Sequence, residues 1–347
     1  MSVLLKQKIL PVAYPVITSY PHYASLLSLL PDDDSVKSWL ANQYVNLRGI
    51  ILEDEVSYEM RFSPLCMIRA CPLVNYSQLQ KDILYLYGSI VDFMIESMNL
   101  GYYFFISYDE FNIHHSDSYS KRHIKHQMFV YGYDSIEEVF YIGEFFNGNC
   151  YEFKLVDFKE LEEAIRNEDK ISNSVVNYFD IMKYNGYQYK FDKNMLVKDL
   201  KNYLDSTVLL LPYEINLLSS VEADDIRNHK YSFGVRNYEL MIQWLSKVLD
   251  YNVLLTDIRP FHVMYDHKTM MIQRIDYLHR NNIIQQNDDF MEGFKEVQSL
   301  CLINRNLFLK FRANSNKVLV EKMIDNINKI REKEVMLVKK LLEYLNK

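Results

Sequence analysis

The sequence predicts an α+β protein with two domains, a mixed domain over residues 1–175 and a mainly helical domain over residues 176–347. Runs of aromatic and β-branched residues between 101 and 156, separated by turn residues, are typical of antiparallel strands. From residue 196 onward, apolar residues recur every three or four positions, as they do in amphipathic helices. A polar stretch over residues 171–195 separates the two patterns and marks the expected boundary. A chain of 347 residues also suits two domains of ordinary size.

The elements of the first domain are predicted from local patterns. Residues 3–10 are expected to form a first strand, and residues 50–52 and 56–63 a hairpin around a polar turn. Apolar positions three and four residues apart predict one long helix over Tyr76–Asn99, which Gly101 ends. Four further strands are predicted at 102–108, 127–133, 139–142 and 151–156, and three further helices at 22–30, from 34 or 35 onward, and at 158–167.

The second domain is expected to contain five helices and one strand. The alternating sequence YQYKF at residues 187–191 predicts the strand. The helices are predicted at 196–205, 234–249, 259–281, 288–312 and 316–346. Polar residues on the third of these helices are expected to join helices through salt bridges and hydrogen bonds, with the lining of a cleft as the alternative: Arg259, His262, Asp266, His267 and Arg274.

The bulk composition argues against several classes of function. The net charge is -7 and the pI is about 5.8, which argues against nucleic-acid binding because such binding depends on neutralising phosphates. No apolar stretch is long enough to cross a bilayer and the first residues lack the apolar core of a secretion signal, so a cytoplasmic protein is expected. The four scattered cysteines are expected to be buried, reduced thiols: Cys66, Cys71, Cys150 and Cys301.

The histidine that precedes the strand at 127–133 has the features of a general base. His126 is expected at the edge of a sheet, facing a cleft. Imidazole titrates near neutral pH and can accept the proton of a cysteine or serine nucleophile. The next strand ends near Glu144, so a hairpin would bring Glu144 or Asn147 within reach of His126. A carboxylate would favour the charged imidazolium, whereas an amide would only orient the ring.

These residues carry a resemblance to a known family. The run HQMFVYGYDSIEEVFYIGEF, residues 126–145, is similar to papain-like peptidases that process bacteriocins, in which a histidine strand with Gly-Tyr-Asp precedes a strand ending in Asp-Pro. The whole chain resembles the family typified by butirosin biosynthesis protein H (BtrH), and residues 259–281 resemble a helical signature behind its papain-like domain. The resemblance implies a papain-like first domain in a bacterial peptide or aminoglycoside antibiotic pathway. The typical member moves an acyl group from a carrier-protein thioester to an amine.

The expected nucleophile departs from the family pattern. The resemblance implies a cysteine at the start of the first buried helix, but the matching residues 21–27 contain none. Ser25 lies near the expected position and is the substitute nucleophile, whereas Ala24 would be the remnant of a cysteine lost from a degenerate site. The family's Asp-Pro is also replaced, by Glu144-Phe145.

Two classes of function therefore stay open. In the first, the protein is related to acyltransferases and peptidases and has a degenerate site, in which any activity would use Ser25, His126 and either Glu144 or Asn147. In the second, it is a non-catalytic binding or accessory protein for an acyl- or peptidyl-carrier protein or a peptide. No cofactor is expected, because the sequence contains neither a Gly-rich phosphate loop nor a G-x-S-x-G elbow.

The basic segment at residues 121–126, KRHIKH, has two interpretations. It is either a docking site for an anionic partner, such as the phosphopantetheine arm of a carrier protein, or a solvated loop. The spacing of His123 and His126, with His114-His115 upstream, also suggests zinc. However, a strand places residues three apart on opposite faces and no further ligand is suitably spaced, so no metal is expected.

Overall fold

The protein is described by a computed structural model, which covers residues 6–52, 56–63, 67–146, 150–168, 171, 178–207, 231–251, 255–285 and 288–346. The predicted α+β class and the helical C-terminal region are confirmed. Contacts divide the chain into two compact units, unit 1 with Met1–Asp32 and Ile68–Gln188, and unit 2 with Asp33–Met67 and Tyr189–Lys347. The division differs from the single boundary expected at 175/176, because residues 33–67 pack with the C-terminal helices.

Within its described residues, unit 1 contains an antiparallel sheet of seven strands. Numbered along the whole chain, these strands are β1 (Gln7–Ile9), β4 (Val74–Gln80), β5 (Tyr103–Asp109), β6 (Lys125–Asp134), β7 (Val139–Phe146), β8 (Cys150–Asp157) and β9 (Tyr178–Tyr184). Their order is β4-β9-β5-β6-β7-β8, and β1 pairs with the second half of β6. Every residue of β5 is buried, so this central strand lacks the alternation of a half-exposed strand. The four strands predicted between 102 and 156 are confirmed.

The helices of this part of the chain are α1 (Pro21–Leu29), the short α3 (Met67–Ala70), α4 (Lys81–Tyr87), α5 (Ile90–Asn99) and α6 (Phe158–Glu168). The prediction of one helix over Tyr76–Asn99 is wrong, because β4 occupies its beginning and Gly88 interrupts the remainder with a φ of 113°. All seven residues of β4 pair with β9, and this pairing outweighs the helical spacing. α5 then begins with its own cap, since the Ser89 side chain accepts a hydrogen bond from the amide of Asp92.

Unit 2 contains a three-stranded antiparallel sheet and six helices within the described residues. The strands are β2 (Asn46–Ile51), β3 (Tyr58–Ser63) and β10 (Ser232–Phe233), so the hairpin predicted around residues 53–55 is confirmed. The helices are α2 (Asp34–Asn42), α7 (Lys193–Asp205), α8 (Asn237–Tyr251), α9 (Arg259–Arg280), α10 (Asp288–Asn314) and α11 (Lys317–Leu345). The strand expected at 187–191 is not formed; β9, which has partners on both sides, precedes it instead.

Two of the five polar residues named for α9, His267 and Arg274, join other elements through internal contacts, as the structural interpretation predicted, whereas Arg259 is exposed and pairs with Asp257. Lys268 and His267 are fully buried against Glu334 of α11, and the Arg274 guanidinium donates to the carbonyl of Ala41. Burial lowers the pKa of His267 to about 3. Among the described helices, none is long and apolar enough to cross a membrane.

Two of the cysteines match the expectation of buried thiols and one does not. Cys71 and Cys301 are buried, and burial raises the pKa of each thiol to about 12. Cys150 is exposed, because it begins the outermost strand β8, and Cys66 lies outside the described residues.

Candidate functional site

A histidine-rich connection, residues 110–124, joins β5 to β6. Together with His126 at the start of β6, it carries four histidines, and each ring lies against a fixed oxygen. The four contacts are His114 Nδ1 with Glu160 at 2.8 Å, His115 Nε2 with the carbonyl of Leu155 at 2.9 Å, His123 Nδ1 with Asp109 at 2.6 Å, and His126 Nδ1 with Glu144 at 3.2 Å. Each ring is therefore oriented by its own oxygen partner, and the rings of His114 and His115 lie against each other with centroids 3.8 Å apart.

The contact between His126 and Glu144 is the one that the hairpin predicted. His126 pairs directly with Tyr108 of β5, and Glu144 projects from β7 on the other side of β6. The Nδ1 atom lies 3.2 Å from Glu144 Oε2 and 4.0 Å from Glu110 Oε1. The closer pair is within ion-pair distance, although its atoms are not aligned for a good hydrogen bond.

Glu144 is the buried member of this cluster. Its side chain is inaccessible to solvent, whereas that of His126 is 33% exposed. Burial raises the pKa of Glu144, and the nearby His126 acts in the opposite direction. Burial raises the pKa of the neighbouring Tyr108, and the negative charge of Glu144 acts in the same direction. These contacts can therefore hold and orient an imidazole. An oriented imidazole can act as a general base, but acid–base catalysis also needs a reacting group within its reach.

Ser25, the expected substitute nucleophile, lies in the middle of α1 rather than at its first turn. Its Oγ donates a hydrogen bond of 2.7 Å to the carbonyl of Pro21, and its side chain is buried. One turn later, the Ser28 hydroxyl lies 3.5 Å from that of Tyr151 in β8. The Tyr151 hydroxyl lies where a side chain at position 143 would be, so Tyr151 is on that face of the sheet. Because Ser28 of α1 lies beside the same hydroxyl, α1 packs on this face.

His126 and Glu144 project from the opposite face. Neighbouring residues of a strand alternate between faces, and residues paired across strands share a face. Phe129 pairs with Gly143, so these two residues share the face on which α1 packs. His126 lies three residues before Phe129, an odd number, and therefore on the other face. Glu144 lies one residue after Gly143 and is on that other face too. The sheet therefore separates Ser25 from His126, and the structure does not bring these two predicted site residues together.

The other two residues of the expected site have different outcomes. Glu144, expected as an orienting residue, lies 3.2 Å from Nδ1 of His126. Asn147, the alternative orienting residue, lies outside the described residues. Ala24, expected to mark a lost cysteine, is fully buried in α1.

A second pair, Asp109 and His123, was not predicted. Asp109 ends β5, is fully buried, and accepts hydrogen bonds from the amides of Phe111 at 3.0 Å and Ile124 at 3.3 Å. The His123 side chain is 56% exposed, and its ring stacks on Phe111 with ring centroids 4.2 Å apart. One feature of the sequence could have indicated this pair. Asp109 directly follows the strand predicted at 102–108, and an acidic side chain at the end of a buried strand is often buried with it.

The basic segment is partly neutralised. Lys125 pairs with the buried Glu168, and both of its histidines lie against carboxylates. Lys121 and Arg122 are exposed and bond to the Asp117 carbonyl and the Ser118 hydroxyl. Within the described part of the chain, neither of these two side chains forms an ion pair, so they remain the available positive charges.

A cavity of about 500 Å³ lies within unit 1, beside the end of α1. It is mainly apolar. Its lining residues are Leu10, Pro11, Val12, Ala13, Ser28, Leu29, Leu30, Pro31, Asp32, Gly101, Tyr103, Lys183 and Tyr184.

Within the described residues, the fold and these contacts define an α+β protein with a seven-stranded antiparallel sheet and four histidines, three of which lie against carboxylates. Within the ranges that the structure describes, no group of three or more His, Cys, Asp or Glu side chains is placed to hold a metal ion. In comparisons with known proteins, the chain matches no protein-family model and no curated protein.

Proposed function

We propose that the chain is a papain-related, BtrH-like protein of a bacterial secondary-metabolite pathway that binds an acyl- or peptidyl-carrier protein, or a peptide, without attack by Ser25. The separation of Ser25 from His126 by the sheet carries this proposal. Acyl transfer at such a site needs the nucleophile within hydrogen-bond reach of its base. The Ser25 hydroxyl is instead committed to the Pro21 carbonyl in the helix.

The charges beside the histidines support an anionic partner. Lys121 and Arg122 are exposed next to each other, and among the described residues neither pairs with a carboxylate. A phosphopantetheine arm or an acidic carrier surface supplies the complementary negative charge. The protein as a whole carries a net charge of -7, so a local positive site would also orient an anionic partner during its approach.

Binding to a carrier protein tests the proposal. Fluorescently labelled carrier proteins encoded near the gene are titrated with the chain, and anisotropy is measured. We expect saturable binding that weakens several-fold with Arg122→Glu and with added salt, because exposed charges are screened. Lys322→Glu makes the same charge change at an exposed position of unit 2 and should leave the affinity unchanged. Absence of binding to every carrier protein and peptide tested would refute the proposal.

The 3.2 Å contact between His126 and Glu144 favours an active enzyme as the second candidate. A model thioester, decanoyl-N-acetylcysteamine, is incubated with the chain, and thiol release is measured. We expect no release above the rate without protein. Release that disappears in both Ser25→Ala and His126→Ala would favour the enzyme, since it would show that the two residues cooperate.

A further inference from the structure

The apolar cavity of unit 1 lies on the same face of the sheet as α1. Ser28 and Leu29, which end α1, contribute to its lining. Tyr103 of β5 also lines the cavity, and its ring stacks on that of Phe129. Phe129 lies on the face of the sheet opposite to His126. A ligand in this cavity would therefore be held apart from the imidazole of His126.

The polar groups around this cavity are already engaged with the protein. The Tyr103 hydroxyl donates to the carbonyl of Pro11 at 2.7 Å, and the amide of Ala13 donates to the carbonyl of Ser28 at 2.9 Å. The ammonium of Lys183 donates to the carbonyl of Leu100 at 2.8 Å. Pro11 and Pro31 carry no amide hydrogen. What the walls offer a ligand is therefore mainly hydrocarbon surface.

We propose that this cavity holds the hydrocarbon part of an acyl group. Its volume of about 500 Å³ lies within the range of small-molecule sites. Its two charged lining residues, Asp32 and Lys183, are of opposite sign, so the lining has no net charge that would select an ion, and its mainly apolar walls favour a hydrocarbon chain. Burial of methylene groups against leucine, valine and proline supplies the affinity. The assignment rests on the proposed function, because the acyl group would arrive on the carrier partner.

A fluorescent fatty acid tests the cavity directly. Dansyl-labelled undecanoic acid is titrated with the full chain, and it is then displaced with decanoyl-N-acetylcysteamine or decanol. We expect both neutral decyl compounds to displace the probe. Val12→Trp fills the cavity from a half-buried position and should weaken probe binding about tenfold or more. Val318→Trp, the same substitution at a 51% exposed position of α11, should leave binding unchanged.

A second cavity variant keeps the test decisive if Val12→Trp fails to fold, as judged by circular dichroism. Ala13→Phe enlarges an exposed lining residue and should also weaken the probe. Probe binding that is absent, or unchanged in both cavity variants, would overturn the assignment. Stronger displacement by an apolar peptide than by either decyl compound would also overturn it.

Carrier binding separates this inference from the proposed function. Decanoylated carrier should bind more tightly than unacylated carrier, and Val12→Trp should abolish that difference. If both carriers bind equally well and the variant has no effect, the acyl assignment fails while the proposed function stands. If the probe binds in the cavity but no carrier or peptide binds, the cavity assignment stands and the proposed function fails.

Discussion

Nδ1 of His126 lies 3.2 Å from a carboxylate oxygen of Glu144, across the neighbouring strands β6 and β7. The two partners are unequally exposed, because Glu144 is fully buried while a third of the His126 side chain meets solvent. A buried carboxylate is costly when it is charged, and a nearby imidazolium offsets part of that cost. The two side chains are therefore expected to contribute to stability as a coupled pair.

A double-mutant cycle measures this coupling. His126→Ala and Glu144→Gln are made singly and together, and the free energy of opening of β6 is measured at pH 7 by amide hydrogen exchange. We expect a favourable coupling of about 1 kcal/mol, because the pair is close but poorly aligned for a hydrogen bond. Additive effects of the two substitutions would contradict the prediction. The pair Glu162→Gln and Arg166→Ala, an exposed contact on α6, should show weaker coupling.

Asp109 is expected to matter more for stability than the histidine that it orients. Asp109→Ala leaves the amides of Phe111 and Ile124 without their acceptor, and we expect unit 1 to lose about 2–3 kcal/mol of stability. His123→Ala should cost less than about 1 kcal/mol, because its ring is largely exposed and Asp109 keeps both amide bonds. Hydrogen exchange of β5 provides the measurement, with the exposed Asp117→Ala as the control. Equal losses for Asp109→Ala and Asp117→Ala would refute the argument.

These two pairs show what a single sequence can predict about such a site. The contact of His126 with Glu144 follows from a hairpin, in which local turn chemistry sets the register. The contact of Asp109 with His123, which are fourteen residues apart, depends on the path of the connection between β5 and β6, and no spacing rule describes it. The side of the sheet on which α1 and Ser25 pack is a property of tertiary structure, so a motif match could not reveal the separation from His126.

The same distinction explains the fold. Strands and helices with strong periodicity were predicted near their observed bounds, since side-chain patterns report which face is buried. The error at Tyr76–Asn99 arose because β4 gains seven paired residues from β9, which lies about a hundred residues further along the chain. The placement of residues 33–67 with the C-terminal helices likewise depends on long-range contacts that composition does not encode.

Asp199 of α7 gives unit 2 a defined pH dependence. Burial raises the pKa of this carboxyl from 3.8 to about 6, although Arg274 acts to lower it. Between these values the native chain holds a proton that the unfolded chain has lost, so the unfolding free energy contributed by this group falls as the pH rises. Asp199→Asn removes the buried charge. We therefore expect the variant to be more stable than the parent above pH 6, by about 1–3 kcal/mol, and the difference to shrink toward pH 4.

Tryptophan fluorescence suits this measurement, because both tryptophans, Trp39 and Trp244, lie in unit 2. Urea denaturation is followed at several pH values between 4 and 8. Asp205→Asn makes the same substitution at an exposed position of the same helix and should give no pH-dependent difference. A constant gap between Asp199→Asn and the parent across this range would show that burial of the charge is not the cause.

Lys268 and Glu334 form a fully buried ion pair in unit 2, with 2.5 Å between Nζ and Oε1 and no solvent exposure of either side chain. Lys268→Met is expected to lower stability by about 3–5 kcal/mol, because it leaves the Glu334 carboxylate buried without its cation. Adding Glu334→Gln should recover a large part of this loss, since the neutral amide still accepts from the Tyr203 hydroxyl. Lys295→Met, which breaks an exposed pair on α10, should cost less than about 0.5 kcal/mol. A double variant that is less stable than Lys268→Met alone would show that the hydrogen bonds to the carboxylate, rather than its uncompensated charge, dominate this part of the core.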